Sequence, residues 1–400
     1  MNPIPASADC GFNASSQADG EASMIPAIKP VNPTTKISST PRAFASTDGD
    51  ILAITRISGA ASGEIAFGGN FSHVITPDGV SHSAKNFAIV SESTGAVLYA
   101  GNANTYVRAI TSWAGTTYVG GDFTAFGGLG RSHLAAVSPT HSVTSWAPNA
   151  GAAVRALAAD ATGVYVAGDM GWVRKFSLGG SMLWQKPTSK GDGRSLLLYD
   201  GALYVGGLFE TYAGVTQHGA VKVATATGDV ISAFNAHLRA DTGVGEYGSY
   251  DGEEIIALSV GTTSATLVLG SGGHAPPHMG SNAAFVVDAT TGATHWRTST
   301  IGDIQAAAVV GDTVVAGYHR NVSNSTTPYP YFCTQLEGSN GVLTTWDPRI
   351  TGDQSNADGG NNGVQAEYAD PSIKTIFIAG AFTKYANTNT HQSLIAFTWT

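Results

Sequence analysis

The residues best suited to chemistry gather in three stretches. "HLRADTGVGEYGSYDGEE" (237–254) carries Asp241, Glu246, Tyr247, Tyr250, Asp251, Glu253 and Glu254. "GGHAPPHMGSN" (272–282) carries His274 and His278, and "YHRNVSNSTTPYPY" (318–331) carries His319, Arg320, Tyr329 and Tyr331. Aromatics beside carboxylates, amides and a guanidinium suit stacking and hydrogen bonding to a sugar, or an interface rich in Tyr and Arg. The candidate binding residues are therefore Tyr247, Tyr250, Asp251, Glu253, His274, His278, His319, Arg320, Tyr329 and Tyr331. The plainer reading of the same stretches is solvated loop with a few packing aromatics.

Other chemistries fit less well. His274 and His278 are zinc-ligand types, but their Pro-rich loop offers no clear third ligand. The acidic run 241–254 and "TGDQSNADGGNNG" (351–363) offer hard oxygen ligands suited to calcium, at a spacing that matches no fixed loop motif. No cofactor is expected beyond such a calcium ion. Glycosidase chemistry needs two carboxyl groups about 5–9.5 Å apart, which Asp251, Glu253 and Glu254 can supply. No Ser-x-Asp-x-Gly-x-Thr-Trp box and no G-x-S-x-G elbow occurs. A Tyr–Cys radical site would have to use Cys333, one of only two cysteines, with Cys10. Two thiols make no disulfide framework and read as buried or idle, although they can pair in an oxidising setting. No catalytic residue is assigned, and the chain reads as non-enzymatic.

Something must hold these stretches in place. Charged residues make up 12% of the 400-residue chain, about half the usual share, while glycine reaches 50. Few charges, many glycines and short apolar runs point to an all-β protein with tight turns. The net charge of −9 leaves no basic surface to neutralise phosphates, so neither nucleic acid nor an anionic membrane is an expected partner. No run of about 18 apolar residues is present to cross a membrane as a helix. "MNPIPASADCGFNASSQADG" has neither the basic start nor the apolar run of a secretory signal.

The positioning elements announce themselves as a repeat. "TYVGGDF" (117–123) returns as "IAFGGNF" (65–71), "VYVAGDM" (164–170), "LYVGGLF" (203–209) and "IFIAGAF" (376–382), and more weakly as "TLVLGSG" (266–272) and "TVVAGYH" (313–319). Gly69, Gly121, Gly168, Gly207, Gly270, Gly317 and Gly380 align as the second glycine or its equivalent, 39 to 63 residues apart. An alternating strand precedes each copy, such as "YVRAITSW" (106–113), and another follows, such as "FAIVS" (87–91). A Thr-Gly turn and an aromatic-proline pair, such as Trp146 with Pro148, then close many units. Four short strands at this period predict a seven-bladed β-propeller of four-stranded antiparallel blades. Residues 37–41 align with the outer-strand position and are expected to complete the last blade, which closes the ring and removes its open edges. The glycines allow backbones to approach, or a bulge to form. A phosphate loop would need a following helix and a Lys-Ser/Thr pair, and neither occurs.

"YVGGDFT", a strand, "TG.V..W.P" and a "V.AL" strand together resemble a propeller repeat of actinobacterial surface proteins and of minor tail proteins of their phages. The Gly-Gly pair is also similar to kelch repeats, without their Tyr and Trp spacing. The resemblance spans about 36–400 and implies a structural or binding role in a virion tail, at the tail tip or on the host surface, with glycan or protein as ligand. The rival implied roles are a bacterial cell-surface adhesion module and, behind it, a glycan-active hydrolase. Connections between second and third strands, and between successive units, are long, whereas the others are short. Both long classes emerge on one face, so that face is the expected binding surface. Residues 1–35 hold Pro3, Pro5, Pro26, Pro30 and Pro33 and read as an extended arm that docks on other virion proteins.

Overall fold

The computed structural model describes residues 34–60, 63–189, 191–238, 253–263, 265–272, 282–299, 302–318, 332–346, 348–351, 363–385 and 393–400. Every regular element in them is a β-strand. No helix among the described residues is long and apolar enough to cross a membrane.

Each copy of the glycine string forms the second strand of an antiparallel sheet, and seven such sheets follow one another. The second strands are Glu64–Asn70, Thr116–Gly121, Gly163–Gly168, Ala202–Gly207, Thr266–Gly272, Thr313–Tyr318 and Thr375–Ala381. Their partners on the inner side are Asp50–Arg56, Val107–Trp113, Val154–Asp160, Gly193–Tyr199, Glu254–Val260, Ile304–Val310 and Gly363–Asp370. Each inner strand packs beside the next, and the last packs beside the first, so all seven surround one axis. Three sheets carry a fourth strand: Val97–Ala100, Met182–Pro187 and Thr294–Ser299. In three of the others a single bridge stands at that place: Val137 with Val143, Val223 with Val230 and Leu336 with Leu343. The expected fourth strand therefore shortens to one residue pair in these units.

The core lies between sheets. Phe67, Val90 and Ile65 of the first sheet pack with Phe377, Leu394 and Ala396 of the last, and similar slabs fill the other gaps. A middle strand has both faces in such slabs. This is why Gly163–Gly168 and Ala202–Gly207 are buried along their whole length and read as continuous apolar runs. The phenylalanine ending the string is an anchor, since Phe71, Phe123, Phe209 and Phe382 are all buried. Indoles lock neighbouring sheets together by donating to turn carbonyls: Trp146 to Ser177 at 3.2 Å, Trp184 to Thr225 at 3.1 Å and Trp296 to Gly338 at 2.8 Å.

The glycine pair has two separate duties. A Cβ on the first glycine would strike the next inner strand, at 2.3 Å from Val107 for Gly68 and 2.5 Å from Val154 for Gly120. On the second it would strike a carbonyl of the partner strand, at 1.9 Å from Asp50 for Gly69 and 2.1 Å from Tyr106 for Gly121. Pairing corrects the alignment: Gly270 and Gly317 oppose Ala257 and Ala306, as Gly68 opposes Ala53, so they are first glycines. Ser271 and Tyr318 occupy the second position there.

Gly121→Ala is expected to destabilise by about 1–3 kcal/mol, because the clashing atom is backbone and cannot turn aside. Gly179→Ala, whose nearest neighbour would be the Ser177 hydroxyl at 3.6 Å, should change stability by less than about 0.5 kcal/mol. Chemical denaturation of both variants checks the contrast.

Candidate functional site

The second glycine lets a bulge form opposite it, and the bulge recurs at one place in all seven inner strands. The extra residues are Leu52, Arg108, Arg155, Arg194, Ile256, Gln305 and Gln365. A bulge breaks the in–out alternation of a strand and re-aims its side chain. Arg108, Arg155, Ile256, Gln305 and Gln365 all turn up in the wall of a cavity of about 240 Å³ on the common axis. Every inner strand contributes to that wall. The small residues Ala53, Ala109, Ala156, Ser195, Ala257, Ala306 and Ala366 form one layer of it.

The guanidinium groups are held by the residue that follows the glycine pair. Arg108 Nε donates to both oxygens of Asp122 at 2.9 Å, and Arg155 Nε does the same to Asp169. Arg194 continues the chain, to Asp169 at 3.3 Å and to Glu254 at 2.8 Å. Burial raises the Asp169 carboxyl, but the Arg155 hydrogen bond and the charges of Arg155, Arg194 and Arg108 outweigh it and hold the group below its ordinary range. The result is a row of fixed, half-buried guanidinium groups, two of which, Arg108 and Arg155, line the cavity.

The next layer is aliphatic, from Ile54, Ile110, Leu157, Leu196, Leu258 and Ala307. Its seventh member is Glu367, which opposes Ile378 as Leu157 opposes Val166. The Cys333 thiol donates to Glu367 Oε1 at 3.6 Å, while Oε2 is buried without a hydrogen-bond partner among the described residues. Part of the residue borders the cavity, but its carboxyl group is enclosed. Burial pushes this carboxyl up to about 8, against the Cys333 and Ala308 hydrogen bonds, which favour the ionised form.

Of the ten candidate binding residues, Glu253 alone lies within the described residues. It is 3% exposed and paired with Arg297 at 2.8 Å. Arg297 in turn lies over the Phe285 ring. Tyr247, Tyr250, Asp251, His274, His278, His319, Arg320, Tyr329 and Tyr331 lie outside the described residues, as do Cys10 and the calcium-type stretch after Thr351. Cys333 is buried. Among the described residues, no group of three or more His, Cys, Asp or Glu stands close enough to hold a metal ion. A larger recess of about 830 Å³ lies between residues 35–39 and the strand Cys333–Glu337. Several of its polar groups are already engaged, Thr344 with Gln335 at 2.7 Å and Trp346 with the Ser38 carbonyl at 3.1 Å.

The bulge arginines escaped the sequence reading because each sits inside a strand where alternation places a core or surface residue. A signal was present: Arg108 and Arg155 recur at one repeat position, and Asp122 and Asp169 recur 14 residues later in each unit.

No family model and no curated protein matches this sequence. Among solved structures, it is similar to the WD40 beta propeller domain of Doa1, at 11% identity and a TM-score of 0.55. That match covers 90% of this chain and 96% of the other. The computationally designed Ika8 protein matches at 13% identity and a TM-score of 0.50, over 88% of this chain and 90% of that one. At such identities the likeness shows the fold alone. It is a β-propeller.

Glu367 yields a pH signature. Its carboxyl rises from the ordinary value near 4.3 to about 8 on folding. Its contribution is therefore complete below about 4 and is lost as pH climbs through 8. Glu367→Leu, which restores the aliphatic layer, is expected to gain on the parent between those limits. Denaturation at several pH values tests this, and a constant difference would refute it.

Proposed function

We propose that this chain is a seven-bladed propeller closed by its own N-terminal segment, serving as a non-enzymatic binding component of a phage tail. In this reading it is a minor tail protein that contributes to tail-tip architecture or to recognition of a host-surface glycan or protein. Residues 1–35 are its contact with other virion proteins.

Closure rests on hydrogen bonds that span the whole chain. Ser38 N–H donates to the Thr398 carbonyl at 2.8 Å, Thr400 N–H to Lys36 at 3.1 Å and Arg42 N–H to Ala396 at 2.7 Å. Ile37 bridges Trp399 in antiparallel fashion. The Trp346 indole finds the Ser38 carbonyl, the acceptor that a neighbouring turn supplies to Trp146, Trp184 and Trp296. These contacts support the reading in which residues 37–41 take the place of an outer strand. A tether lies beside them: both Asp312 oxygens accept from Thr34 and Thr35 backbone N–H groups, at 2.7 and 3.0 Å.

The binding role rests on one observation, the asymmetry of the connections. Turns such as Ala114–Gly115 and Asp200–Gly201 join first to second strands on one side. Second-to-third connections on the other side are long enough to carry ladders of their own, Ala125–Phe126 with Leu129–Gly130 and Thr211–Tyr212 with Val215–Thr216. A rigid scaffold with its variable chain on one face is the usual arrangement of a recognition surface. Glu253 and Glu254, two of the acids in the hydrolase reading, are both held in ion pairs.

Two outcomes are expected. Burial raises the Asp312 carboxyl, but the threonine hydrogen bonds outweigh it and lower it to about 2. The tether therefore holds above about pH 4 and fails as pH falls toward 2. Asp312→Ala should lower the melting temperature at neutral pH and match the parent near pH 2; an equal gap at both would reject the closure. Labelled full-length chain should bind actinobacterial cells, and antibodies against it should decorate phage tails. Cell binding without virion decoration would favour a bacterial surface protein, and neither result would overturn the reading.

A further inference from the structure

The first and last sheets meet at a small charge cluster. Arg56 ends the inner strand of the first sheet, Glu92 follows the third strand of that sheet, and Asp370 ends the inner strand of the last. Arg56 Nε lies 3.1 Å from both oxygens of Glu92 and 3.0 Å from Asp370 Oδ2. The two acidic side chains are 6% and 3% exposed. The turn closes down on Glu92, since a Cβ at Gly63 would lie 2.4 Å from its Oε2. Two buried carboxyl groups thus face one partly exposed cation, and two like charges so close do not both ionise without cost.

Two other ionisable groups face this cluster. Tyr368, on the inner strand of the last sheet, is pushed up to about 12 by burial and so stays neutral. Arg42 comes from the closing segment. Its Nη2 donates to the Glu92 backbone carbonyl at 2.7 Å, its N–H donates to the Ala396 carbonyl, and its guanidinium lies over Phe44 and Phe377. The closing segment is therefore fastened to the backbone of Glu92 itself.

The hydrogen bonds show where a proton belongs. Asp370 Oδ1 accepts from the Ser372 N–H at 2.7 Å and from its hydroxyl at 2.5 Å. Oδ2 is buried and receives no hydrogen bond from a described N–H or hydroxyl group, because the Arg56 Nε–H is aimed at Glu92. Glu92 stands within hydrogen-bonding reach of Asp370, so an O–H on Glu92 supplies the missing donor. We propose that Glu92 and Asp370 share one proton at this seam, and that its loss loosens the closing segment, so that the ring carries a proton-operated latch. The step is an acid dissociation: the Glu92 O–H bond breaks, the proton passes to solvent, and two carboxylates are left to one Arg56.

Burial raises the Glu92 carboxyl and the Asp370 hydrogen bond adds to it, against Arg56. Burial also raises Asp370, but the bonds from Ser372 and Glu92 and the charge of Arg56 outweigh it and lower the group. The Glu92 contribution is complete below its ordinary value and is lost as pH climbs through the folded one. That of Asp370 is present above its ordinary value and is lost as pH falls. The latch is firmest in mildly acidic solution and loosens on the alkaline side.

Hydrogen exchange of the full-length chain between about pH 5 and 9 is the test, read at the Ser38 and Arg42 amides. Glu92→Gln keeps an N–H donor for Asp370 and cannot ionise. Asp370→Asn offers an N–H donor to an ionised Glu92. Comparison at equal pH cancels the intrinsic exchange rate. At the alkaline end the parent should exchange at least about threefold faster than either variant, and at the acidic end it should match Glu92→Gln. The strand Val154–Asp160, two sheets away, should exchange alike in all three. Equal exchange of parent and Glu92→Gln at every pH, or a parallel loss of protection in that distant strand, would overturn the latch. The inference rests on the ring closure proposed above, which the Asp312→Ala comparison tests separately. If that comparison rejects closure while Glu92→Gln still slows exchange of the Glu92 N–H, which donates to Gly63, the shared proton stands and the latch fails.

Discussion

A missing side chain controls this architecture. Where the first two strands of each sheet meet, a bulge carbonyl presses against the second glycine, so closely that a Cβ at Gly69 or Gly121 would lie about 2 Å from it. One residue earlier, Gly68 and Gly120 give way to Val107 and Val154 of the following sheet. At these four glycines both approaches use the space that a methyl group would fill. The entropic cost of glycine in a strand, up to about 1 kcal/mol relative to alanine, is offset by tighter sheet-to-sheet packing. Alanine also serves at the first position, at Ala167 and Ala379, and Ser271 and Tyr318 serve at the second. The constraint is therefore met locally in each sheet and need not be met identically in all.

From that contact the axial site follows. Because the bulge falls at the same register in every inner strand, its extra residues come to one level about the axis. Four of the seven are Arg or Gln that line the cavity. The Arg–Asp pairs then extend from sheet to sheet, since Arg194 reaches back to Asp169 and on to Glu254. In this way three consecutive sheets share one charge network, although the chain as a whole carries few charges. Glu367 breaks the pattern one layer below. Its enclosed carboxyl is a cost to stability at neutral pH, because the folded chain holds a proton there that the unfolded chain releases.

Much of the fold was legible in the chain itself. The strings around Gly121, Gly168, Gly207 and Gly380 mark second strands because burial on both faces demands an unbroken apolar run, and the structure places strands there. Phe123 and Phe209 recur because each fills a core slab. Legibility failed where local pattern is ambiguous. "TLVLGSG" and "TVVAGYH" align equally well in two registers, and only the pairing of Gly270 with Ala257 and Gly317 with Ala306 decides between them. Outer strands were over-read in units whose Val143, Val230 and Leu343 make one bridge each, since a Thr-Gly turn signals reversal but does not set how far pairing continues.

The candidate site divides along the same line. Composition and repeat period determined an all-β chain of stacked sheets, because those depend on the spacing of apolar and turn residues along the backbone. Loop aromatics drew attention for their residue types, whereas Arg108, Arg155, Gln305 and Gln365 stayed inconspicuous inside strands. Nothing in the order of residues states that positions 108 and 365 face a common cavity. That is a property of seven inner strands packed about one axis, which brings together residues separated by more than half the chain, and only the tertiary structure could decide it.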